Sequence, residues 1–251
     1  MMKENILEIE QRIQRACERA GRDRSEVTLI AVSKTMPNEK LVEAYHLGMR
    51  AFGENKVQEL VQKYEALSDK FDNAAEWHMI GHLQRNKVKY IVDKAELIHS
   101  VDSVRLAEQI NLEATKKDIV CDILIEVNIS DEDTKYGVSP AEVSALLEEV
   151  VMFKNIRVRG LMTVAPYTDN PEKNREYFKK LRQLYVDIKS KNNDNNCNGS
   201  NIEETAPRYD LNNFNVLSMG MTGDFEIAIE EGATIIRVGT GIFGERDYSK
   251  S

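Results

Sequence analysis

Eight short, β-rich apolar runs, each followed by a stretch of helical periodicity or by a turn, constrain this chain more than any other feature. The first run is residues 28–34, Thr-Leu-Ile-Ala-Val-Ser-Lys, and Pro37 then stands in the first turn of a helix expected to reach Leu47. The unit recurs. Strands over 49–54, 76–81 and 97–101 are followed by helices over 56–67, 85–93 and 103–116. A fifth strand covers 121–129, and Ser139-Pro140 supplies an N-cap and a first-turn proline for its helix. The sixth strand is 157–164 with a helix over 171–190, the seventh 214–221 with a short helix over 224–231, and the eighth 234–239. Before the first strand, Ile6, Ile9, Ile13 and Ala16 recur at helical intervals over 3–20, and Gly21 stops that helix.

Eight strands alternating with helices in about 240 residues predict an α/β protein of the (β/α)8 TIM barrel type with an extra N-terminal helix. A doubly wound open sheet is the alternative. The expected organisation is a single domain over 1–251. Residues 191–213 are polar and asparagine-rich, so they lack the apolar side chains of a packed element and read as a mobile surface loop.

Charge and cysteine usage remove several function classes. A formal net charge of -8 is the wrong sign for general nucleic-acid binding, so any phosphate site must be local. No apolar run reaches the roughly 18 residues of a membrane span, and the Met-Met-Lys-Glu-Asn start lacks a signal-peptide core, which makes the cytoplasm the expected compartment. Cys17, Cys121 and Cys197 are scattered without metal-type spacing and read as free thiols.

In a barrel, chemistry gathers where the strands end, at their C-terminal side. Lys34 stands there on strand one, Glu54-Asn55 on strand two, His78 and Gly81-His82 on strand three, and Asn128 on strand five. Strand seven ends in Ser218-Met-Gly-Met-Thr222 and strand eight in Arg237-Val-Gly239-Thr240-Gly241. Strand alternation puts Lys34 on one face with Ile30 and Val32, Arg237 with Ile235 and Gly239, and Ser218 with Val216 and Gly220. Strands one, seven and eight are neighbours in a closed barrel, so a lysine, an arginine and a glycine/hydroxyl cup converge. That set suits pyridoxal 5'-phosphate: a desolvated lysine for a Schiff base to the aldehyde, backbone N–H groups at Gly239-Thr240 and near Ser218 for the phosphate, and Arg237 for the pyridine nitrogen. Taken alone, Lys34 reads as a solvated strand-end lysine; its company changes the reading.

Other motifs carry less. Gly239-Thr-Gly241-Ile-Phe-Gly244 satisfies the dinucleotide pattern, yet only seven residues follow it in the sequence, too few for the rest of a Rossmann unit. Asp131-x-Asp133 with Glu142 imitates a calcium loop, but Lys135 takes a ligand position and the turn glycine is displaced to Gly137. His78 and His82 lack a third ligand and read as pocket lining or packing, with no metal expected.

Six collinear segments then carry a resemblance: Ala-Val-Ser-Lys-Thr (31–35), Phe-Gly-Glu-Asn-Lys-Val-Gln-Glu (52–59), Trp-His-Met-Ile-Gly-His-Leu-Gln-Arg-Asn-Lys (77–87), Gly-Leu-Met-Thr (160–163), Leu-Ser-Met-Gly-Met-Thr-Gly-Asp (217–224) and Ile-Arg-Val-Gly-Thr-Gly-Ile-Phe-Gly (236–244). Together they resemble the pyridoxal phosphate homeostasis protein family, over nearly the whole chain. The resemblance implies a single barrel like the N-terminal domain of alanine racemase. It makes Lys34 the Schiff-base lysine, puts Arg237 at the pyridine nitrogen and Ser218, Gly239 and Thr240 at the phosphate, and sets Asn55 and His82 in or near the pocket. It further implies a carrier and regulator of vitamin B6 and amino-acid balance, with apo-forms of B6-dependent enzymes as recipients. Thr222 stands where that family usually has serine and keeps the hydroxyl, while the 191–213 insert is unusual.

The competing expectation is a weak amino-acid racemase or other pyridoxal phosphate enzyme, and a third is a plain barrel without cofactor. A racemase needs a base on each face of the substrate carbon. In alanine racemases the second is a tyrosine from a C-terminal β-domain, whereas this sequence ends at Ser251, directly after the barrel. A cation at the ring nitrogen also disfavours ring protonation and weakens the cofactor as an electron sink. Both arguments favour a carrier without catalytic turnover.

Overall fold

The computed structural model describes residues 1–130, 136–197 and 213–244, the side chains of 191–197 excepted. Its sheet is a closed ring of eight parallel strands in sequence order: β1 Thr28–Val32, β2 Ala51–Glu54, β3 Glu76–Met79, β4 Leu97–Val101, β5 Cys121–Glu126, β6 Ile156–Met162, β7 Val216–Met221 and β8 Ile235–Val238. Closure is made by β1 against β8, with Ile30 opposite Arg237 and Ala31 opposite Val238. The barrel is therefore the fold, and the open-sheet alternative is set aside.

Eight α-helices are described: α1 Met2–Arg19, α2 Asn38–His46, α3 Val57–Leu67, α4 Val104–Lys116, α5 Val143–Val150, α6 Arg175–Cys197, α7 Phe225–Glu230 and α8 Thr240–Phe243. In α1 the apolar stripe is Met2, Ile6, Ile9, Ile13, Ala16 and Cys17, all buried, and the helix packs against α7 and α8. Among the described residues, no helix is long and apolar enough to cross a membrane.

Three expectations for helices change. Within residues 85–93 a 3-10 helix over Arg85–Tyr90 stands in place of the expected α-helix, a long run for that winding. After β5, Ser139 and Glu142 close a turn on each other, with Glu142 N–H donating to the Ser139 carbonyl at 3.0 Å and Ser139 Oγ to Glu142 Oε2 at 2.6 Å. The α-helix begins only at Val143, so Ser139-Pro140 shapes its approach and not its first turn. Finally α6 continues to Cys197, so 191–197 is helix and not loop. Asn, Asp and Lys are middling helix formers, and no proline or glycine intervenes before Gly199. Residues 198–212 of the proposed loop, the Asp131-to-Lys135 motif and the chain after Gly244 lie outside the described residues.

Candidate functional site

Period-two alternation divides the barrel interior into layers. Ile30, Ala51, Leu97, Leu124, Met162 and Ile235 form an apolar cluster, joined by Val32 and Val216. Two residues further along four of these strands the interior becomes polar: His99 on β4, Glu126 on β5, Ser218 on β7 and Arg237 on β8, with His78 of β3 among them, all buried. The apolar layer closes the barrel; the polar layer faces the C-terminal mouth.

Arg237 is held on two sides. Its Nη1 donates to Ser218 Oγ at 2.5 Å and its Nη2 to the Thr163 carbonyl at 2.8 Å. Burial lowers its pKa to about 10 against the opposing pull of Asp224 and Glu126, so it remains a cation at neutral pH. Ser218 Oγ also lies 3.0 Å from His99 Nδ1, and His99 Nε2 lies 3.1 Å from His78 Nδ1. Glu126 behaves oppositely: burial first, then Asp102, push its carboxyl up to about 7 although Arg237 pulls it down. Its Oε2 is buried without a hydrogen-bond partner.

Lys34 is half-buried and follows β1, and alternation sets it on the inner face above Ile30 and Val32. The residues flanking it are tied outward. Ser33 Oγ donates to Glu54 Oε1 at 2.6 Å, and the Ser33 carbonyl accepts from Lys63 Nζ at 2.7 Å. Lys63 is itself buried against Glu54 at 2.8 Å and Glu59 at 3.3 Å. The Thr35 N–H donates to Glu59 Oε2 at 2.7 Å while Thr35 holds a φ of 66°, a left-handed conformation unusual for threonine. An ion cluster behind the strand thus fixes the backbone on both sides of Lys34.

Beside it, β7 and β8 supply the rim. The Gly239 N–H donates to Thr222 Oγ1 at 3.3 Å, and the hydroxyls of Thr222 and Thr240 are 3.4 Å apart. A Cβ on Gly239 would come within 3.3 Å of the Val32 carbonyl oxygen, so this glycine lets β8 lie close to the end of β1. The leading N–H groups of α8 have no intrahelical acceptor. Hydroxyls and the leading backbone N–H groups, with the guanidinium of Arg237 on the same strand, make a donor-rich set with the character of an anion site.

The structure thus brings Lys34, after β1, together with Arg237, Gly239 and Thr240 in and after the adjacent β8. Ser218 lies one layer deeper than the sequence suggests: it is fully buried and its hydroxyl engages Arg237 and His99, while Thr222 takes the hydroxyl position on the rim. Asn55, after the neighbouring β2, has a buried Oδ1 without a partner. Its backbone is crowded by Gly81, where a Cβ would fall 2.4 Å from the Asn55 carbonyl oxygen. His82 is farther round the ring after β3; it stacks on Tyr136 at 4.2 Å and its Nδ1 lies 3.8 Å from Asp102. His99 and Glu126 were not singled out from the sequence. The available signal was alternation, since Leu97 and His99, and Leu124 and Glu126, share the inward face. Among the described residues, no three His, Cys, Asp or Glu side chains are grouped to hold a metal ion.

Comparison with known proteins gives a consistent result. The family described as alanine racemase, N-terminal domain, matches residues 5–247. A pyridoxal phosphate homeostasis protein from Aquifex aeolicus is 47% identical over 245 residues, covering 98% of each chain. The protein of the same name from Escherichia coli is 36% identical over 249 residues, with 98% of this chain and 97% of the other covered. PipY from Synechococcus elongatus, solved with PLP bound, is 32% identical with a TM-score of 0.78 over 97% of this chain and all of PipY. Alanine racemase from Clostridium difficile, 14% identical with a TM-score of 0.65, shares the fold over 98% of this chain and 56% of its own. The chain belongs to the pyridoxal phosphate homeostasis protein family, built on the alanine racemase N-terminal-domain barrel.

Proposed function

We propose that this chain binds pyridoxal 5'-phosphate, holds it as a Schiff base on Lys34, and acts in the cytoplasm as a carrier in vitamin B6 and amino-acid homeostasis. The observation that carries the reading is the juxtaposition, on three adjacent strands, of a half-buried lysine, a buried arginine and a donor-rich rim. The site fits the cofactor's three functional groups. Thr222, Gly239 and Thr240 suit its phosphate, Gly239 because a Cβ there would already be tight against the Val32 carbonyl oxygen at 3.3 Å. Arg237 suits the pyridine nitrogen as a donor held in place by Ser218 and Thr163. Asn55 offers an unpartnered buried oxygen on the strand beside Lys34, and His82 with Tyr136 borders the mouth. The PLP-bound relative and the names of the curated relatives support the same assignment. We take 1–251 as one cofactor-binding domain.

Pyridoxal phosphate supplies an aldehyde that exchanges reversibly between amines. The chain's own residues orient that group and limit its other chemistry. Arg237, cationic up to about pH 10, disfavours a second positive charge on the ring nitrogen and so suppresses use of the ring as an electron sink. Holding and handing on the cofactor, with apo-forms of B6-dependent enzymes as recipients, is the role such a site performs.

The test is direct. Purified protein mixed with pyridoxal phosphate is expected to develop an absorbance band near the visible edge, and borohydride is expected to fix the cofactor on Lys34. Lys34→Ala should lose both. Equal covalent trapping in the wild type and Lys34→Ala would remove the anchor assignment. Transfer from loaded protein to a defined apoenzyme measures the carrier role, and α-proton exchange of amino acids well above that of free cofactor would contradict it.

A further inference from the structure

The polar layer contains a chain of contacts that cofactor binding alone does not require. We propose that Ser218, His99 and His78 are positioning residues for Arg237, forming a relay of hydrogen bonds of one polarity that anchors the guanidinium without neutralising it. This inference rests on the placement of Arg237 at the cofactor proposed above.

Donor counting fixes the first link, and the proposed polarity runs on from it. A guanidinium only donates, so Ser218 Oγ accepts from Arg237 Nη1 at 2.5 Å. In the proposed relay the hydroxyl proton is donated to a bare His99 Nδ1, 3.0 Å away; the opposite polarity would have the second lone pair of Oγ accept from an Nδ1–H. His99 therefore carries its proton on Nε2 and donates to His78 Nδ1 at 3.1 Å, which must also be bare. His78 in turn carries its proton on Nε2, which is buried without a hydrogen-bond partner, Glu76 Oε2 being 3.7 Å away. Both histidines are thus neutral Nε2–H tautomers, set from the arginine end. Burial first, and the Arg237 cation with it, hold the His99 pKa well below the usual imidazole range, in keeping with its neutral form.

The relay differs from the ordinary solution for a buried arginine, a carboxylate partner. A directly paired carboxylate would cancel the guanidinium's field at the mouth. Ser218 and two neutral imidazoles fix its orientation while leaving its charge, and the one carboxylate in line, Glu76, is solvent-exposed at the start of β3. The layer beneath is entirely apolar, so packing alone gives no reason to bury three polar side chains here.

Two measurements test the proposal. In cofactor-free protein, 15N-edited NMR of the histidine rings should find His99 and His78 as Nε2–H tautomers at pH 7; an Nδ1–H or cationic His99 overturns the relay. In loaded protein, His99→Phe and Ser218→Ala should each weaken cofactor binding about tenfold, the scale of one lost hydrogen bond, and shift the absorbance maximum. The double variant should be no worse than the poorer single one. His99→Asn, which retains an acceptor near the Nδ1 position, should restore the wild-type spectrum. A change in melting temperature with unchanged spectrum and affinity in both single variants would leave only a structural role and defeat the proposal. Failure of the wild type to form a Lys34-dependent band would instead count against the cofactor reading, while the tautomers still decide whether the relay exists.

Discussion

At the scale of single residues, Glu126 is a carboxyl buried at a cost. It is 8% exposed, its Oε2 has no partner, and burial lifts its pKa from 4.5 to about 7. The sign of the linkage follows. Below pH 4.5 the carboxyl is protonated in both folded and unfolded chains and costs nothing extra. As pH rises from 4.5 to 7 the unfolded chain releases a proton that the folded chain retains, so stability falls through that window and the full penalty stands above it. Glu126→Gln is expected to leave stability at pH 4 unchanged and to raise it at pH 8 by up to about 3 kcal/mol, from about 1.4 kcal/mol per pKa unit. Urea denaturation of both proteins at pH 4, 6 and 8 measures this, and a constant difference across that range would refute the burial argument. Glu126 and His99 also show where the sequence stopped being legible. Lys34, Arg237, Gly239 and Thr240 stand at strand ends beside glycines and hydroxyls, where the pattern itself points to a site. Glu126 ends the apolar run Cys-Asp-Ile-Leu-Ile-Glu, and its inward face becomes visible only when the neighbouring strands fix which side is interior.

At the scale of elements, β1 delivers Lys34 because α3 holds the end of the strand. Lys63, on α3, is 6% exposed and donates to Glu54, Glu59 and the Ser33 carbonyl. Glu54 is fully buried, and burial raises its pKa against the pull of Lys63. Removing the cation leaves that carboxylate uncompensated. Lys63→Met is therefore expected to cost about 3 to 5 kcal/mol, the usual result of breaking a buried pair from one side. Adding Glu54→Gln should recover more than half of it, and the Thr35 amide should lose hydrogen-exchange protection as Glu59 is released. An additive double variant would show that the two side chains do not act as a pair. The strands of this scaffold were legible from apolar runs, because a parallel sheet covered on both faces leaves continuous hydrophobic segments. The ion cluster was not, since Glu54, Glu59 and Lys63 look like ordinary helix and strand-end charges until β2 and α3 are packed together. The shift of α5 to Val143, the 3-10 winding over Arg85–Tyr90 and the extension of α6 depend on local turn bonds and weak propensities, which a periodicity reading does not resolve.

At the scale of the whole molecule, the N-terminal helix and the last barrel strand are coupled, and that coupling reaches the rim. Helix α1 buries its isoleucine stripe against α7 and α8. Asn5 Nδ2 donates to the Ile242 carbonyl at 3.0 Å, and Arg12 pairs with Glu226 at 2.8 Å and Arg19 with Glu230 at 2.6 Å. The partly exposed ion pairs contribute little, about 0 to 1 kcal/mol each, so the apolar contact dominates. Ile9, 2% exposed, reaches so close to Gly241 that a Cβ there would lie 3.2 Å from its Cδ1. Helix α8 is only four residues long and begins at Thr240, so its orientation depends on what packs behind it. Ile9→Ala should destabilise the fold by about 2 to 5 kcal/mol, as large-to-small core changes do, and should also loosen the rim of Gly239 and Thr240. If that rim binds the cofactor's phosphate while Lys34 and Arg237 hold its ring, the variant will lose affinity for pyridoxal phosphate more than for pyridoxal, which lacks the phosphate. Dissociation constants for the two compounds, measured well below the variant's unfolding temperature, separate the cases. Equal losses would mean that α1 supports the barrel as a whole and has no particular bearing on the phosphate end of the site.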